Sequence, residues 1–133
     1  LMHSMNNGNL EEAKQCMKSL ISNVPYSNKK LVSMDMEERY RLIISTILNA
    51  IGCQVEVEHM LSTGRIDIVA STSRFIYVME LKLANNGGIN AAEKQMIDNG
   101  YLKPFLADDR KVIGVAVELD DMGKGLIDWK EVK

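Results

Sequence analysis

Residues 75–83 constrain the fold of this chain more than any other stretch. The segment begins with apolar side chains at both odd and even positions, whereas a strand with one wet face alternates apolar and polar residues. We therefore expect a central strand that is buried on both faces of a sheet. The segment nevertheless ends in Glu80-Leu81-Lys82, which puts two charged side chains on one face of that strand.

Two further strands are predicted ahead of it. Residues 54–60 alternate, with Val55 and Val57 expected to point inward, and residues 65–71 form the next strand. The linker at residues 71–74 has the composition of a hairpin loop. The last two of these three strands are therefore expected to be antiparallel neighbours.

This hairpin is expected to bring two carboxylates together. A turn centred between Ser73 and Arg74 places Asp67 directly opposite Glu80, and a turn centred one residue earlier leaves them diagonal neighbours. Opposite residues of an antiparallel pair have Cβ atoms about 5 Å apart. Carboxylates that close destabilise each other unless a proton or a cation lies between them. Oxygen ligands favour Mg²⁺, Mn²⁺ or Ca²⁺ over zinc, and Lys82 can neutralise a phosphate or orient a water.

A solvated Glu-x-Lys pair, worth under about 1 kcal/mol, is the alternative explanation of the charges on this strand. The apolar character of the strand interior argues against it. The preceding Gly64-Arg65-Ile66-Asp67 strand also argues for a site rather than a surface pair.

Helices are predicted on both sides of these strands. Residues 9–23 form the first helix, capped by Asn9, and residues 34–51 the second, capped by Asp35 or Ser33. After the strands, the sequence predicts a flexible loop, a helix, an apolar strand and a short last strand, at residues 85–88, 90–99, 111–119 and 126–129. This order indicates a mixed sheet with helices packed on it, in the α/β or α+β class.

Glu37 has an unusual place on the second helix. At about 100° per residue, it falls about 35° from the centre of the apolar stripe, whereas Glu38 falls about 135° away. A carboxylate at the edge of the core needs a partner such as a cation. A favourable interaction with the helix dipole alone is the alternative. The stripe consists of Tyr40, Ile44, Ile47, Leu48 and Ile51.

Composition limits the classes of function. The 133 residues suffice for one domain with a real core, and the net charge of −2 is not that of a general nucleic-acid binder. Any contact with phosphates must come from a local patch or a metal. The scattered basic residues are expected to be ordinary solvated charges: Lys29, Lys30, Arg39, Arg41, Arg65, Arg74, Lys103, Arg110 and Lys111.

Cys16 and Cys53 have no metal-ligand spacing. We expect reduced, buried thiols in a cytoplasmic protein, with a lone disulfide between them as the alternative. The chain begins at Leu1, so it is expected to be a piece of a longer protein whose preceding region is missing.

The ordered motifs resemble the PD-(D/E)xK nuclease superfamily, and most closely the branch that forms the C-terminal domain of bacterial AAA-ATPase-like proteins. Residue 66, before Asp67, is Ile rather than the Pro of the superfamily's name. The resemblance covers nearly the whole chain, including the lead-in at residues 8–11 and 24–26. Its motifs are Glu37-Glu38-Arg39-Tyr40, Glu58, Gly64-Arg65-Ile66-Asp67, Tyr77 to Lys82, and Ala92 and Gln95 with Tyr101.

The resemblance implies a restriction-endonuclease-like αβββαβ core, in which helices flank a mixed central sheet, with an extra N-terminal helix. It implies that residues 1–32 are a helical lead-in from a missing ATPase region and that residues 33–133 are the nuclease-like domain.

The resemblance also implies roles for individual residues. Asp67, Glu80 and Glu37 would hold Mg²⁺ or Mn²⁺, with the Leu81 carbonyl as a possible further ligand. Lys82 would stabilise the transition state or position the nucleophile. Four other residues would support the site or contact the substrate: Arg65, Gln95, Glu58 and Tyr101.

Three functions follow from these observations. The first is metal-dependent hydrolysis of nucleic acid, DNA in preference to RNA. The second is a catalytically silent module that docks to an ATPase domain or another partner protein, which an exposed apolar patch on the first helix would favour. The third is nucleic-acid binding without cleavage. That patch consists of Leu10, Met17, Leu20 and Ile21.

Overall fold

The structure is a computed structural model that describes residues 1–24 and 35–133. Its strands are Gln54–Leu61 (β1), Gly64–Ser71 (β2), Phe75–Leu83 (β3), Lys111–Leu119 (β4) and Leu126–Val132 (β5). Its helices are Met2–Asn6 (α1), Leu10–Ser22 (α2), Met36–Ala50 (α3) and Gly88–Asp98 (α4), with 3₁₀ turns at Ala84–Asn86 and Lys103–Phe105. No helix in the described part of the chain combines the length and apolarity that a bilayer crossing requires.

The five strands form one mixed sheet in the order β1-β2-β3-β4-β5. Strands β3 and β4 are parallel, and every other neighbouring pair is antiparallel. Helices α1, α2 and α3 share a core with one face of the sheet, and α4 shares a second core with the opposite face. The first seven residues of β3 are all buried, which confirms the prediction of a central strand covered on both faces.

The helix caps on either side of the undescribed segment agree with the sequence. The Asn9 side chain accepts a hydrogen bond from the backbone N–H of Glu12 at 3.2 Å. The Asp35 carboxylate accepts one from the N–H of Glu38 at 3.0 Å, so Asp35 caps α3. Ser33, the alternative cap, and the predicted domain boundary after residue 32 lie outside the described residues.

Strand β1 departs from the expected alternation. Val57, expected to point inward, is 46% exposed. The reason is that β1 is an edge strand, and Val57 lies in an open surface pocket beside Leu42 and Ser45 of α3, which do not cover it. The prediction for Val57 is therefore wrong, whereas Val55 packs against the core.

The loop predicted at residues 85–88 is also shorter than expected. It forms a 3₁₀ turn, and α4 already begins at Gly88. The side chain of Glu118 on β4 accepts a hydrogen bond from the N–H of Ile89 at 2.9 Å and so caps the helix from a neighbouring strand. Sequence periodicity within the helix cannot report such a cap.

The last strand continues to Val132, beyond its predicted end at residue 129, and the short helix α1 was not predicted.

Two arginines and one cysteine differ from their expected environments. Arg39 is 4% exposed and the Arg41 side chain 15%, so neither is an ordinary solvated charge. Both cysteines are free, as predicted, but only Cys53 is buried, because Cys16 lies half-exposed on α2.

Tyr101 fixes the start of β2. Its hydroxyl donates to the backbone carbonyl of Arg65 at 3.1 Å and accepts from the Gln95 amide at 3.2 Å. A Cβ atom on Gly64 would lie 2.6 Å from that hydroxyl oxygen. Only glycine therefore leaves room for the buried phenol beside the strand that carries Asp67.

Replacing Gly64 by alanine should lower the free energy of unfolding by about 1–3 kcal/mol, because the added methyl overlaps the Tyr101 hydroxyl. The cost should be smaller in a Tyr101→Phe background, where that hydroxyl is gone. Urea unfolding of the two single variants and the double variant measures both costs. Equal costs in the two backgrounds would contradict this explanation of the glycine.

Candidate active site

The site forms where β2 and β3 separate. Regular pairing ends at Ile68 opposite Met79, so the turn is centred between residues 73 and 74, the first of the two predicted registers. Asp67 and Glu80 occupy the next positions. Instead of a continued backbone ladder, the Asp67 carboxylate accepts the N–H of Leu81 at 2.8 Å. This bond holds Asp67 beside Glu80 and leaves space beyond them.

Glu80 is 2% exposed, and its Oε2 atom has no hydrogen-bond partner in the described part of the chain. Burial, and then the neighbouring Asp67, raise the pKa of the Glu80 carboxyl to about 10, against a smaller opposing effect of Lys82. Without a cation, Glu80 therefore holds a proton at neutral pH.

Glu37, in the first turn of α3, points into the same space. Its Oε1 atom is buried and has no hydrogen-bond partner among the described residues, whereas Glu38 is exposed. The predicted orientation of these two residues is therefore confirmed. A buried acceptor without a donor costs about 1–3 kcal/mol, so these two oxygens are the candidates in this cavity to accept from a ligand or to contact a cation.

The predicted residues converge on a surface cavity of about 700 Å³. Glu58 is outside its lining and lies behind it, 2.8 Å from Arg41 and 3.6 Å from Arg65. The cavity is lined by the other eight predicted residues, Glu37, Arg65, Asp67, Glu80, Leu81, Lys82, Gln95 and Tyr101.

Positive charge lines the same cavity. The Lys82 ammonium makes no hydrogen bond or ion pair with the residues that the structure describes, so it is available to a ligand. The Arg65 side chain is 50% exposed. Gln95 faces the cavity from α4, with its amide bonded to Tyr101. The cavity thus combines buried acids with cations that can meet an anionic ligand.

Arg41 is the site residue that the sequence analysis missed. Its guanidinium lies 2.8 Å from Glu58 Oε1 and 3.4 Å from Asp67 Oδ1. It follows Glu37 by one helical turn, and residues at that spacing share a face. That spacing was the available signal, because Glu37 was already expected to point toward the core edge.

The acids of this cavity suit a hydrated metal ion rather than a closed cage of protein ligands. Within residues 1–24 and 35–133, no three Asp, Glu, His or Cys side chains are grouped as a metal cage. Mg²⁺, however, usually keeps several waters and binds through one or two carboxylates together with substrate phosphates. The unpaired oxygens of Glu37 and Glu80, with Asp67 beside them, fit such a hydrated ion.

The family comparison agrees with this geometry. A model of the PD-(D/E)XK nuclease superfamily matches residues 35–129. The match begins at the cap of α3, ends within β5 and contains all nine predicted site residues. No curated protein matches the chain significantly.

The raised pKa of Glu80 predicts a pH-dependent stability. At pH 7 the folded chain holds a proton on Glu80 (pKa about 10), which the unfolded chain, with an ordinary value of 4.5, has released. The free energy of unfolding of the metal-free protein should therefore fall as pH rises from about 4.5 toward 10. Glu80→Gln, which stays neutral, should remove this loss.

Thermal unfolding in EDTA between pH 5 and pH 9 measures the effect. The melting temperature of Glu80→Gln should be close to that of the wild type at pH 5 and about 5 °C or more above it at pH 8. Glu131→Gln, which removes an exposed carboxylate, is the control for net charge. Parallel pH profiles of Glu80→Gln and the wild type would contradict the buried, protonated carboxyl.

Proposed function

Because the chain belongs to the PD-(D/E)XK nuclease superfamily, we propose that it hydrolyses phosphodiester bonds of nucleic acid, DNA in preference to RNA, with Mg²⁺ or Mn²⁺. One observation carries this proposal: the unpaired, buried carboxylate oxygens of Glu37 and Glu80 line the same cavity as Asp67 and Lys82. An acidic site with an available ammonium suits a metal-assisted reaction on a phosphate.

The acids would hold the ion. Asp67 is oriented by the N–H of Leu81, and Glu80 stands beside it, with Glu37 opposite on α3 and the Leu81 carbonyl as a further oxygen donor. When bound, the ion would lower the pKa of a water molecule and offset negative charge on the phosphate. Binding of the ion would also favour the ionised form of Glu80.

The cations of the cavity would bind the substrate. Lys82 follows Glu80 by two residues on the same strand, so its ammonium can donate to a phosphate oxygen or orient the attacking water. Arg65 is exposed enough to reach a neighbouring phosphate. These local charges explain how a chain with a net charge of −2 could bind a polyanion.

The second candidate is a docking module without catalysis. The ion pair between Arg41 and Asp67 favours it, because the guanidinium of Arg41 already contacts the Asp67 carboxylate that would otherwise bind a metal. In that case the fold would bind an ATPase domain or another partner protein. An exposed apolar patch on α2, which would have favoured docking, is not formed by the residues expected to make it. Met17 and Ile21 are buried in the core, and Leu20 is 39% exposed.

Cleavage of supercoiled plasmid and single-stranded DNA in Mg²⁺ or Mn²⁺ tests the proposal. Lys82→Ala should lose at least about 100-fold in rate, because it removes a group that stabilises charge in the transition state. Lys111→Ala is the matched control. It removes an exposed lysine at the opposite end of the sheet, where Lys111 pairs with Phe75 at the start of β3.

Two outcomes would contradict hydrolysis by this site. One is equal cleavage by the wild type and Lys82→Ala. The other is no cleavage by the wild type with either ion, which would favour the docking module. Salt-sensitive DNA binding without cleavage, retained in Asp67→Asn, would instead identify a binding domain.

A further inference from the structure

Arg41 stands between two carboxylates at the edge of the cavity. It lies 2.8 Å from Glu58 and 3.4 Å from Asp67, and the side chains of Arg41 and Asp67 are 15% and 14% exposed. The Arg41 Nη1–H donates a long hydrogen bond to Asp67 Oδ1, whereas the shorter contact of Nη2 with Glu58 Oε1 is an ion pair. Arg41 is therefore shared between the two carboxylates, and its closest contact is with Glu58.

The backbone at Glu58, the residue that pairs most closely with Arg41, has an unusual conformation. Glu58 is the only non-glycine residue with a positive φ among the described residues (φ 53°). Pairing between β1 and β2 is interrupted there, between the pairs Val57–Ile68 and His59–Ile66. Residues with a Cβ atom seldom adopt this conformation unless their surroundings enforce it. Here it accompanies the ion pair of Glu58 with Arg41.

We propose that Arg41 is a positioning residue that competes with the divalent ion for Asp67, and that Glu58 restrains it. The Arg41–Glu58 pair would thereby set how tightly the site takes its metal. This inference rests on the proposed function, because it assumes that Asp67 is a metal ligand. A positive charge beside a cation site weakens binding of the cation, and a neighbouring carboxylate offsets that charge.

The two members of the pair should act in opposite directions. Glu58→Gln removes the carboxylate that draws Arg41 away from Asp67 and leaves the charge of Arg41 uncompensated, so metal binding should weaken. Arg41→Gln removes the competing charge and leaves Glu58 as an additional carboxylate, so metal binding should strengthen. The double variant should return near the wild type. Loss of a purely structural contact would weaken binding in both single variants.

The experiment is thermal unfolding of the protein titrated with Mg²⁺ or Mn²⁺, in which the midpoint of stabilisation reports metal affinity without any substrate. We expect Glu58→Gln to raise the midpoint concentration about threefold or more, and Arg41→Gln to lower it by about the same factor. Glu56→Gln, an exposed carboxylate on the same strand, should leave it unchanged.

A further variant separates charge from packing. Arg41→Lys keeps the positive charge but lacks the guanidinium fork, so it should not lower the midpoint as Arg41→Gln does. Two outcomes would overturn the inference: a raised midpoint in both Glu58→Gln and Arg41→Gln, or unchanged midpoints in both.

The result for the wild type distinguishes this inference from the proposed function. A wild type that binds the ion but cuts no DNA would contradict the nuclease activity, and the variants would still decide the role of Arg41. A wild type that neither ion stabilises would overturn the metal site and the Arg41 inference together.

Discussion

The hydrogen bond between the Leu81 N–H and the Asp67 carboxylate, 2.8 Å long, is the interaction on which the site depends. It replaces the next bond of the β2–β3 ladder after Ile68 and Met79, so the two strands separate without leaving a buried N–H unpaired. The separation places Asp67 and Glu80 side by side at the edge of a cavity and not in a closed sheet. The same bond orients the Asp67 carboxylate. The Asp67 side chain therefore does two things: it satisfies the backbone where β2 and β3 separate, and it holds its own carboxylate in the site.

The cavity is lined by both acidic and basic side chains, and they differ in how deeply they are buried. The acids lie deepest, and Glu80 is buried so fully that its pKa rises to about 10. Lys82 and Arg65 carry positive charge on the same lining, and Arg41 approaches Asp67 from α3. A buried acceptor without a partner is costly in a folded protein. Among the described residues, the cavity has two such acceptors, on Glu37 and Glu80, and a hydrated cation would satisfy both.

The parts of the site that depend on local sequence could be predicted. Alternation places Glu80 and Lys82 on one face, helical periodicity turns Glu37 inward, and the hairpin register brings Asp67 to Glu80. The parts that depend on other elements could not. The spacing from Glu37 indicates on which face of α3 Arg41 lies, but no spacing within α3 or β1 reports the left-handed backbone at Glu58 or the contact of Arg41 with it.

We propose that the cavity binds a divalent ion through carboxylates, one of which is protonated until the ion arrives. Calorimetric titration with Mn²⁺ at pH 7.5, in buffers of different ionisation enthalpy, measures binding and proton release together. We predict one ion per chain, with release of about one proton that is lost in Glu80→Gln. Absence of binding, or binding whose proton release is the same in the wild type and Glu80→Gln, would contradict the account.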